Sequence, residues 1–564
     1  MIKLKLYTAD LETTTDENDC RVWAWAVEEI GNFDNWYYGN SLDGFFLFME
    51  NSNNSVFYIH NLKFDADFLM VYLFQHGFRH VKDRTELDTK TFTTLISDKG
   101  QFYSMKICFW KKGKRHKSVL IIDSYKILPF KVEEIAKAFD LPIRKLKLDY
   151  HAYREIGHKL TQEEIDYIKN DVDIVARALA ILFGQDLTKQ TQGSNALYDY
   201  KKTIGQKYFE KWFPVPDYDA DIRPSYKGGF TYLNPKYKNV DIGEGIVFDV
   251  NSLYPWVMYE CMLPYGEGIY FEGKYKKDDL YNLYIQRFKC QFELKEGYLP
   301  TIQLKGNLSF VPTEYITSSG DEEVTLTLTN IDLELFFKHY DVYNIEWISG
   351  WKFKSSNIMF KPYINKWMEV KIKSTLDGNK AMRTLAKLML NALYGKFGLN
   401  PNVRSKIPFY DNGIIRFTYG EKEIREPIYL PVATFVTAYA RHKTITSAQN
   451  VYDRFIYADT DSLHLIGTEI PKELEVDPVK LGAWKHESTF KRARFLRQKC
   501  YIEDEYKEDG SSELKITCAG MPADCYEYVT WENFKPGASY RGKKSPKHVV
   551  GGVVLKEIDF TIKM

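Results

Sequence analysis

Apolar positions in the first 185 residues follow two different periods, which predicts a mixture of strands and helices. Strand-like runs occur at KLYTADLE, RVWAWAVEEI, SVFYIH and VLIIDSY. Helical periodicity follows in FDADFLMVYLF and in TQEEIDYIKNDVDIVARALAILF, and the second helix opens on a capping box, Thr161-x-x-Glu164. We therefore predict an α/β domain that ends at the polar stretch GQDLTKQTQGSN.

The remainder of the chain predicts a second, larger set of mixed elements. The apolar strand GIVFDV runs into NSLYP, and residues 261–358 have a β-rich, irregular pattern. A helical pattern extends from about Lys380 to Phe397, whereas residues 398–431 are interrupted by Pro and Gly. The helical stretch TFVTAYARHKTITSAQN then leads into IYADTDSLHLI, a hairpin with two Asp residues at its tip. The chain is therefore expected to be an α/β and α+β multidomain protein.

Composition narrows the class of protein further. The 564 residues, 44% hydrophobic and 27% charged, suit a soluble globular chain of roughly three to five domains. With a net charge of +1 the chain is not strongly basic overall, so a nucleic-acid partner would be bound by local patches of basic residues. The scattered cysteines and the absence of an apolar run of 18 residues predict a cytosolic protein without a membrane partner. The aromatic content of 16% suits either large cores or base-stacking surfaces.

Acidic residues of the N-terminal part occur at spacings that place them on shared faces. Asp10 and Glu12 lie two apart in a predicted strand, and Asp171 lies one helical turn after Tyr167. With Asp65, four residues after Asn61, these acids from three elements could bind two divalent metals that activate water for phosphodiester cleavage. Tyr167 would orient that water. Taken singly, each pair is more typical of a solvated face.

Together and in this order, these residues resemble the proofreading 3′→5′ exonuclease domain of the four-carboxylate superfamily, whose fold is ribonuclease-H-like. The resemblance implies that Asp10, Glu12, Asp65 and Asp171 are metal ligands and that Lys145 lies near the scissile phosphate. It also implies contacts with the single-stranded 3′ end by His60, Asn61, Phe64, Phe68, Ser124 and Tyr125. A satisfied structural histidine remains the alternative for His60.

A second acidic constellation combines two distant segments. Asp249 ends the strand GIVFDV, where a lone Asp is equally typical of a turn. Asp459 and Asp461 place two negative charges close together at a hairpin tip. This pattern is typical of either a polar β-turn or a metal site. Asp249 with Asp461 would form a second two-metal site, and Asp459 would shape that site without being a principal ligand.

One helical stripe and one basic stretch suggest the substrate. Lys380, Arg383, Lys387, Asn391 and Tyr394 recur at spacings of 3, 4, 4 and 3, so they share one helix face. The cationic end of this face would suit a bound triphosphate, and the aromatic end a stacked base pair. The alternative, a solvated charged face, explains the cations but not the Asn and Tyr residues. The stretch from Lys485 to Tyr501 interleaves cations with aromatic residues, which is typical of a grip on a duplex backbone.

Three segments in this order resemble motifs A, B and C of family B DNA polymerases. They are Asp249-x-x-Ser252-Leu253-Tyr254-Pro255, Lys387-x-x-x-Asn391-Ala392-x-Tyr394-Gly395 and Tyr457-x-Asp459-Thr460-Asp461-Ser462. Lys499-x-Tyr501 is similar to the primer-contacting motif, and Tyr226-x-Gly228-Gly229 to the element that joins the exonuclease and polymerase domains. Ala392 and Ala440 depart from the usual Ser and Gly, and neither change touches a metal ligand.

The resemblance implies roles for further residues. Asp249, Val250, Asp459 and Asp461 would surround two Mg²⁺ ions, for which Mn²⁺ could substitute. The incoming deoxynucleoside triphosphate would be bound by Tyr254, Lys371, Arg383, Lys387, Asn391 and Tyr394. Primer-template DNA would be contacted by Tyr226, Gly228, Gly229, Thr437, Arg441, Arg497, Lys499 and Tyr501.

Within the family the chain looks like the protein-primed polymerases of bacteriophages with linear genomes. That subgroup carries extra sequence at two places, here about 261–358 and 398–431, and uses a terminal priming protein as a partner. The implied protein is a monomer in the cytoplasm of a bacterial host. The implied domains are an exonuclease (1–190), palm (191–260 and 432–530), two insertions (261–358 and 398–431), fingers (359–397) and thumb (531–564).

Two rival functions make different demands on these residues. A pure exonuclease whose C-terminal half only binds DNA would not need Asp249, Lys387 and Asp461 together. A non-enzymatic single-strand binding protein would not need the N-terminal carboxylates. The sequence therefore favours a template-directed DNA polymerase with a proofreading exonuclease.

Overall fold

The computed structural model describes residues 4–52, 54–303 and 315–563, so residues 304–314 of the predicted first insertion lie outside the described residues. Its N-terminal part contains β1 Lys5–Thr13, β2 Val22–Glu29, β3 Asn32–Gly39, α1 Leu42–Asn51, β4 Ser55–Ile59, α2 Asp65–Gln75, β5 Arg79–His80, β6 Thr91–Ile96, β7 Phe102–Lys112, β8 Arg115–Asp123, α3 Val132–Ala138 and α4 Gln162–Gly184. The strands and helices predicted for this part are present, and the capping box at Thr161 closes the start of α4.

The N-terminal strands form one mixed sheet in the order β3-β2-β1-β4-β8-β7-β6-β5, with β1, β4 and β8 parallel. Helix α4 packs against β1 and β2, and Thr8 Oγ1 donates a hydrogen bond to the Val172 carbonyl oxygen 3.0 Å away. Central parallel strands are buried on both faces, which explains their continuous apolar runs. This packing brings acidic residues of β1 opposite α4.

The rest of the described chain contains α5 Gln192–Ile204, α6 Gln206–Trp212, α7 Asp219–Ile222, β9 Thr231–Leu233, β10 Asp241–Ile242, β11 Gly245–Val250, α8 Leu253–Glu260, β12 Leu263–Glu272, β13 Leu283–Leu294, β14 Ile302–Gln303, β15 Tyr315–Ile316, β16 Val324–Thr329, α9 Asn330–His339, β17 Tyr340–Ser356, α10 Lys361–Leu376, α11 Lys380–Ala392, α12 Tyr394–Phe397, β18 Asn402–Asp411, β19 Ile414–Ile424, α13 Leu430–Asn450, β20 Phe455–Asp459, β21 Ser462–Ile466, β22 Trp484–Arg497, β23 Cys500–Tyr506, β24 Ser512–Cys518, β25 Ser539–Val549 and β26 Gly552–Thr561.

A second sheet, antiparallel, has the order β24-β23-β22-β11-β21-β20-β9, and β10 pairs with β22. Strand β11 therefore lies between β21 and β22, and α13 packs on β20, β21 and α8. The core of this part continues into the N-terminal part, because one buried cluster includes Leu179 of α4, Ala196 of α5 and Phe248 of β11. The two sheets are thus held in one packed body.

The two regions predicted as insertions are built mainly from strands. Strands of the first form a sheet in the order β12-β17-β13-β16, and the second is the hairpin β18–β19. The first also contains α9, a helix that the irregular β pattern did not predict. Its N-cap is Thr329, whose Oγ1 accepts a hydrogen bond from the Asp332 amide 3.1 Å away.

The single helix predicted from Lys380 to Phe397 is divided in the structure. Helix α11 ends at Ala392, and α12 begins at Tyr394. The Leu388 carbonyl oxygen, whose regular partner would be the Ala392 amide, accepts a hydrogen bond from Gln192 Nε2 at 2.9 Å. Gly395 further lowers the helix propensity here.

The C-terminal hairpin β25–β26 returns to the N-terminal part and packs on α2. A Cβ atom added at Gly552 would lie 2.3 Å from Cε1 of Phe68, so only glycine permits this approach. His548 Nδ1 lies 3.1 Å from Oδ1 of Asp67 at the same contact. Among the described helices, none combines the length and apolarity that a membrane crossing needs.

Candidate active sites

The first site is a group of carboxylates between β1 and α4. Carboxylate oxygens of Asp10, Glu12 and Asp171 lie within 4.8 Å of one another. Asp10 and Glu12 share a face because they are two residues apart on a strand, and the packing of α4 across β1 supplies Asp171. The structure therefore brings together three of the predicted acids from two elements.

The fourth predicted acid, Asp65, is buried at the start of α2 and acts electrostatically on this group. Burial and the charge of Asp10 raise the pKa of Asp65 well above its ordinary range. The preceding turn is fixed by Asp123, whose Oδ1 accepts hydrogen bonds from the amides of Asn61 at 3.0 Å and Tyr125 at 3.0 Å. Asp123 was missed by sequence reasoning, although an acid at a strand end before Ser-Tyr is a recognisable capping signal.

The four acids carry more negative charge than the nearby cations of the described chain can balance. Burial and the charge of Asp171 raise the pKa of Asp10 to about 7, and burial also raises the pKa of Glu12. Lys145 Nζ lies 2.5 Å from Oδ2 of Asp171, whereas Oδ1 of Asp171 is buried without a hydrogen-bond partner in the described part of the chain. A buried oxygen without a partner, among hard oxygen donors of excess negative charge, fits a divalent cation.

Tyr167 is buried beside the acids, and its hydroxyl is hydrogen-bonded to the hydroxyl of Tyr150. The Lys145 ammonium lies 5.3 Å from the centre of the Tyr167 ring. Sequence reasoning missed Tyr150, because no spacing connects a loop tyrosine with a helix residue. The pair can hold a hydroxyl group at the edge of the carboxylate cluster.

A cleft of about 840 Å³ opens over this site, and hairpin β25–β26 contributes Lys544, Val554 and Leu555 to its wall. Of the residues predicted to touch a 3′ end, Asn61 and Tyr125 are exposed, Phe64 is half-buried and all three line the cleft. Phe68 and Ser124 are buried beneath it, and Phe68 packs under the hairpin.

His60 lies between a hydroxyl group and a carbonyl group at the wall of the cleft. Its Nδ1 is 3.1 Å from Ser124 Oγ and its Nε2 is 2.8 Å from the Phe130 carbonyl oxygen. Burial lowers the pKa of His60 to about 4, which keeps the ring neutral. These bonds support the structural alternative, in which His60 positions the strand that leads to Asn61.

The raised pKa of Asp10 predicts a pH-dependent stability of the metal-free protein. Because the folded carboxyl titrates at about 7 and its ordinary value is 3.8, the folded state binds the extra proton between these values. Stability is therefore lost as pH rises through about 7. We expect the protein in chelator to melt at a lower temperature at pH 8 than at pH 6, and Asp10→Asn to reduce this difference.

Differential scanning fluorimetry of the parent and Asp10→Asn proteins measures this effect. Addition of a divalent salt should raise the melting temperature of the parent at pH 8 and do so less for Asp10→Asn. An equal pH dependence in both proteins would contradict the assignment of the proton to the cluster.

The second site lies at the turn between β20 and β21, beside the end of β11. Asp249 pairs with Ser462 across the β11–β21 ladder, and the Val250 amide donates a hydrogen bond to the Asp461 carbonyl oxygen at 2.7 Å. Burial and the charge of Asp461 raise the pKa of Asp249 to about 7. Burial and the charge of Asp459 likewise raise the pKa of Asp461. Two carboxyls of raised pKa again form a site that fits a divalent cation.

The carboxylate of Asp459 is held by the protein itself. It accepts hydrogen bonds from Thr231 Oγ1 at 2.9 Å and from the Tyr457 hydroxyl at 3.3 Å, and Lys499 Nζ lies 3.5 Å away. These contacts support the expectation that Asp459 shapes the site more than it binds a metal. Thr460 adopts a left-handed φ of 62°, which the tight turn requires.

Three predicted cations face the second site from helices α10 and α11. In the described chain, Lys371, Arg383 and Lys387 have no carboxylate within 4.0 Å, and Lys371 Nζ lies 3.4 Å from Ser252 Oγ. Burial and the charge of the other two lower the pKa of Lys371, and burial with the charge of Arg383 lowers that of Lys387. Clustered cations without counter-ions form an anion site.

The aromatic end of the predicted stripe meets motif A. The rings of Tyr254 and Tyr394 stack with centroids 4.1 Å apart, despite the break between α11 and α12. Asn391 is exposed beside them. Lys380, in contrast, leaves the stripe and pairs with Asp140 of the N-terminal part at 3.2 Å. The part of the stripe that faces the second site therefore runs from Arg383 to Tyr394.

The segment Tyr226 to Gly229 joins the second site to the surrounding helices. A Cβ atom at Gly229 would lie 2.6 Å from Thr460 Oγ1, so glycine allows this segment to touch the Asp turn. Arg441 is buried, donates to the carbonyl oxygens of Lys227 at 3.0 Å and Gly228 at 2.8 Å, and pairs with Asp332. The Arg441 guanidinium therefore holds this segment in place through hydrogen bonds to its backbone carbonyl oxygens.

Thr437 is also buried, and its hydroxyl donates to carbonyl oxygens within α13. Direct DNA contacts of Thr437, Arg441 and Phe68 stay predictions, and their burial favours a positioning role for each. In each case the sequence motif marked the position, but only the packing shows which way the side chain points.

The Lys499-x-Tyr501 motif is packed against the same turn. The Lys499 amide donates a hydrogen bond to the Tyr457 hydroxyl at 3.0 Å, and Tyr501 stacks on Phe495 with ring centroids 4.7 Å apart. Arg497 Nε donates to the Lys563 carbonyl oxygen at 2.9 Å, which ties the C-terminal end to β22. Lys499 Nζ remains half-exposed and is the group of this motif that can reach a bound strand.

Comparison with known proteins identifies the class of protein. A family model described as DNA polymerase type B, organellar and viral, matches residues 48–158 and 153–477. The chain belongs to this family of type B DNA polymerases. The expected α/β and α+β multidomain fold is confirmed by the structural match to a polymerase of this family.

The most similar relatives include phage enzymes of full length. The DNA polymerase of Bacillus phage M2 is 50% identical over 99% of this chain and 100% of its own, and that of Streptococcus phage Cp-1 is 34% identical over 99% and 98%. A solved structure of phi29 DNA polymerase, complexed with primer-template DNA and incoming nucleotide substrates, matches with a TM-score of 0.94 at 48% identity and covers 100% of both chains.

Proposed function

We propose that this DNA polymerase couples template-directed synthesis to 3′→5′ proofreading and starts from a terminal protein on a linear phage genome. The observation that carries this proposal is the presence of two separate carboxylate sites of raised pKa, one at β1 and α4 and the other at β11 and the β20–β21 turn. A pure exonuclease would have no use for the second site. A passive DNA-binding protein would have no use for either.

In the polymerase site, the chain's own groups bind and orient the substrates. Asp249, Asp461 and the backbone of Val250 would hold two divalent ions, which when bound lower the pKa of the primer 3′-hydroxyl and stabilise the departing pyrophosphate. Lys371, Arg383 and Lys387 neutralise the triphosphate. Tyr254 excludes a ribose 2′-hydroxyl, and Tyr394, whose ring stacks on that of Tyr254, packs against the nascent base pair.

In the exonuclease site, Asp10, Glu12, Asp65 and Asp171 would hold the ions that supply the attacking hydroxide. The Tyr167 hydroxyl, fixed by Tyr150, orients water at the cluster, and Lys145 neutralises the scissile phosphate. Asn61, Phe64 and Tyr125 receive the unpaired 3′ end in the cleft, while His60, Phe68 and Ser124 support them from behind.

We assign Mg²⁺ to both sites, with Mn²⁺ as a substitute, because every donor is a hard carboxylate or carbonyl oxygen. The proposed substrates are primer-template DNA, single-stranded DNA and deoxynucleoside triphosphates. The phi29 structures with primer-template DNA and incoming nucleotides support this assignment by similarity. Tyr226, Gly228, Gly229, Arg497, Lys499 and Tyr501 would lie along the DNA path.

We further propose that the two inserted regions serve protein priming and strand displacement. This proposal rests on the resemblance, which implies extra sequence of the protein-primed subgroup at about 261–358 and 398–431. These two ranges contain the sheet β12-β17-β13-β16 and the hairpin β18–β19. The hairpin also reaches the N-terminal part, where Ser405 bridges to Ser97. The seven domain segments predicted from sequence, the monomeric state and the bacterial cytoplasm remain part of this proposal.

Extension of a primer on a long single-stranded circle, with no other protein added, tests the proposal. We expect products longer than one circle, because synthesis must then displace its own strand. Extension that stops at the first duplex would contradict strand displacement, and degradation without extension would contradict the polymerase assignment. Incubation with the phage's priming protein and one labelled nucleotide tests protein priming, for which a labelled protein adduct is the expected product.

A further inference from the structure

One cation of the basic stretch from Lys485 to Tyr501 lies in different surroundings from the others. Lys485, near the start of β22, is directly opposite Asp249 in the antiparallel β11–β22 ladder. Directly opposite residues in such a ladder project from the same face, with Cβ atoms about 4.5–5.5 Å apart. The Lys485 side chain therefore leaves the sheet on the side of the Asp249 carboxyl.

The charge of Lys485 reaches both halves of the nucleotide site. It acts on Asp249, where it opposes the rise in the carboxyl pKa, and on Lys387, where it helps burial and Arg383 to lower the ammonium pKa. Lys485 thus lies near the metal-binding carboxyl and near the cations of α11 at once. A cation at this position borders the space between the metal-binding carboxyl and the phosphates of a nucleotide bound in the proposed site.

The present partner of Lys485 is a weak one. Its Nζ lies 3.0 Å from Oε2 of Glu487, and the two side chains are 45% and 50% exposed. Exposed ion pairs contribute little free energy, so Lys485 can exchange this carboxylate for a phosphate at small cost. Two cations further along β22 are engaged elsewhere, since Arg492 pairs with Asp504 and Arg494 with Asp241.

We propose that Lys485 is a fourth phosphate-binding cation of the polymerase site, which contacts the terminal phosphates of the incoming nucleotide and the pyrophosphate product. This inference rests on the proposed nucleotide site and extends it with a residue from the palm sheet. The three cations assigned before all come from helices α10 and α11. Lys485 would close the phosphate pocket from the opposite side.

Single-nucleotide insertion on a primer-template measures this role. Lys485→Ala should raise KM for the deoxynucleotide and the inhibitory concentration of inorganic pyrophosphate by about five- to twenty-fold each, as expected for a lost charge-assisted hydrogen bond. Lys485→Arg should restore most of both. The dissociation constant for primer-template DNA should stay within about two-fold, because the residue contacts phosphates of the nucleotide and not of the duplex.

Lys507→Ala is the matched control, since Lys507, the residue after β23, is an exposed lysine that is ion-paired with Glu513. Degradation of single-stranded DNA by each variant verifies folding. Unchanged KM and pyrophosphate inhibition in an active Lys485→Ala enzyme would overturn the inference, as would a loss confined to DNA affinity. If the parent failed to insert nucleotides at all, the proposed function itself would be at fault.

Discussion

Asp461→Asn is expected to lower the rate of primer extension by about 10³-fold, the scale on which removal of a metal-binding carboxylate acts. The substitution removes one charge and keeps the shape of the turn, because the Asp461 amide still reaches the Asp459 carbonyl oxygen at 2.7 Å. Asn also tolerates turn conformations. The loss would therefore report on metal binding and not on folding.

The measurement is single-turnover extension of a labelled primer, with single-strand degradation followed in parallel. Degradation should be unchanged, since the two carboxylate groups belong to different sheets. Asp459→Asn provides a graded comparison and should cost less, because Thr231, Tyr457 and Lys499 already occupy that carboxylate. Retention of more than about a tenth of the extension rate in Asp461→Asn would contradict the assignment.

The second large effect is expected in the N-terminal site. Asp171→Asn should lower degradation of single-stranded DNA by about 10³-fold and leave primer extension within about two-fold. Asp171 supplies one oxygen to Lys145 at 2.5 Å and a second that is buried without a partner among the described residues. An amide keeps one oxygen for Lys145 but loses the negative charge and the second oxygen, which a cation would need. Mismatched primer ends should then persist during synthesis.

Asp166→Asn is the matched control, because Asp166 lies on the same helix and is exposed. It should retain parental degradation. The assay follows a 5′-labelled oligonucleotide at pH 8 with Mg²⁺. Equal losses in Asp171→Asn and Asp166→Asn would point to damage of α4, whereas parental degradation by both would exclude the cluster as the exonuclease site.

Much of the N-terminal fold was predictable because its signals are local. Continuous apolar runs predicted the strands around β1, and the Thr161 capping box predicted where α4 begins. The break at Leu393 was not predicted, and the Leu388 carbonyl oxygen before it accepts a hydrogen bond from Gln192, 196 positions away in sequence. The start of α9 at Thr329 was similarly hidden within a β-rich pattern.

In the candidate sites, the sequence identified many of the residues but not the direction in which their side chains point. Motif residues such as Asp249 and Asp461 were identifiable, yet the burial of Arg441 and Phe68 was not. Tyr150 and Asp123 escaped sequence reasoning, and Lys485 was recognised only as part of a basic stretch, because each gains its place from a loop or a strand register that no periodicity encodes.

The sequence by itself determined the main N-terminal strands and helices, the acids available for metal binding and the cationic stripe from Arg383 to Lys387, because periodicity, capping and spacing act within a few residues. Only the tertiary structure decided which acids meet. Asp249 joins Asp461 through the register of β11 with β21, and Asp10 joins Asp171 through the packing of α4 on β1. Convergence of distant residues is a property of strand pairing and core packing, which one-dimensional spacing does not contain.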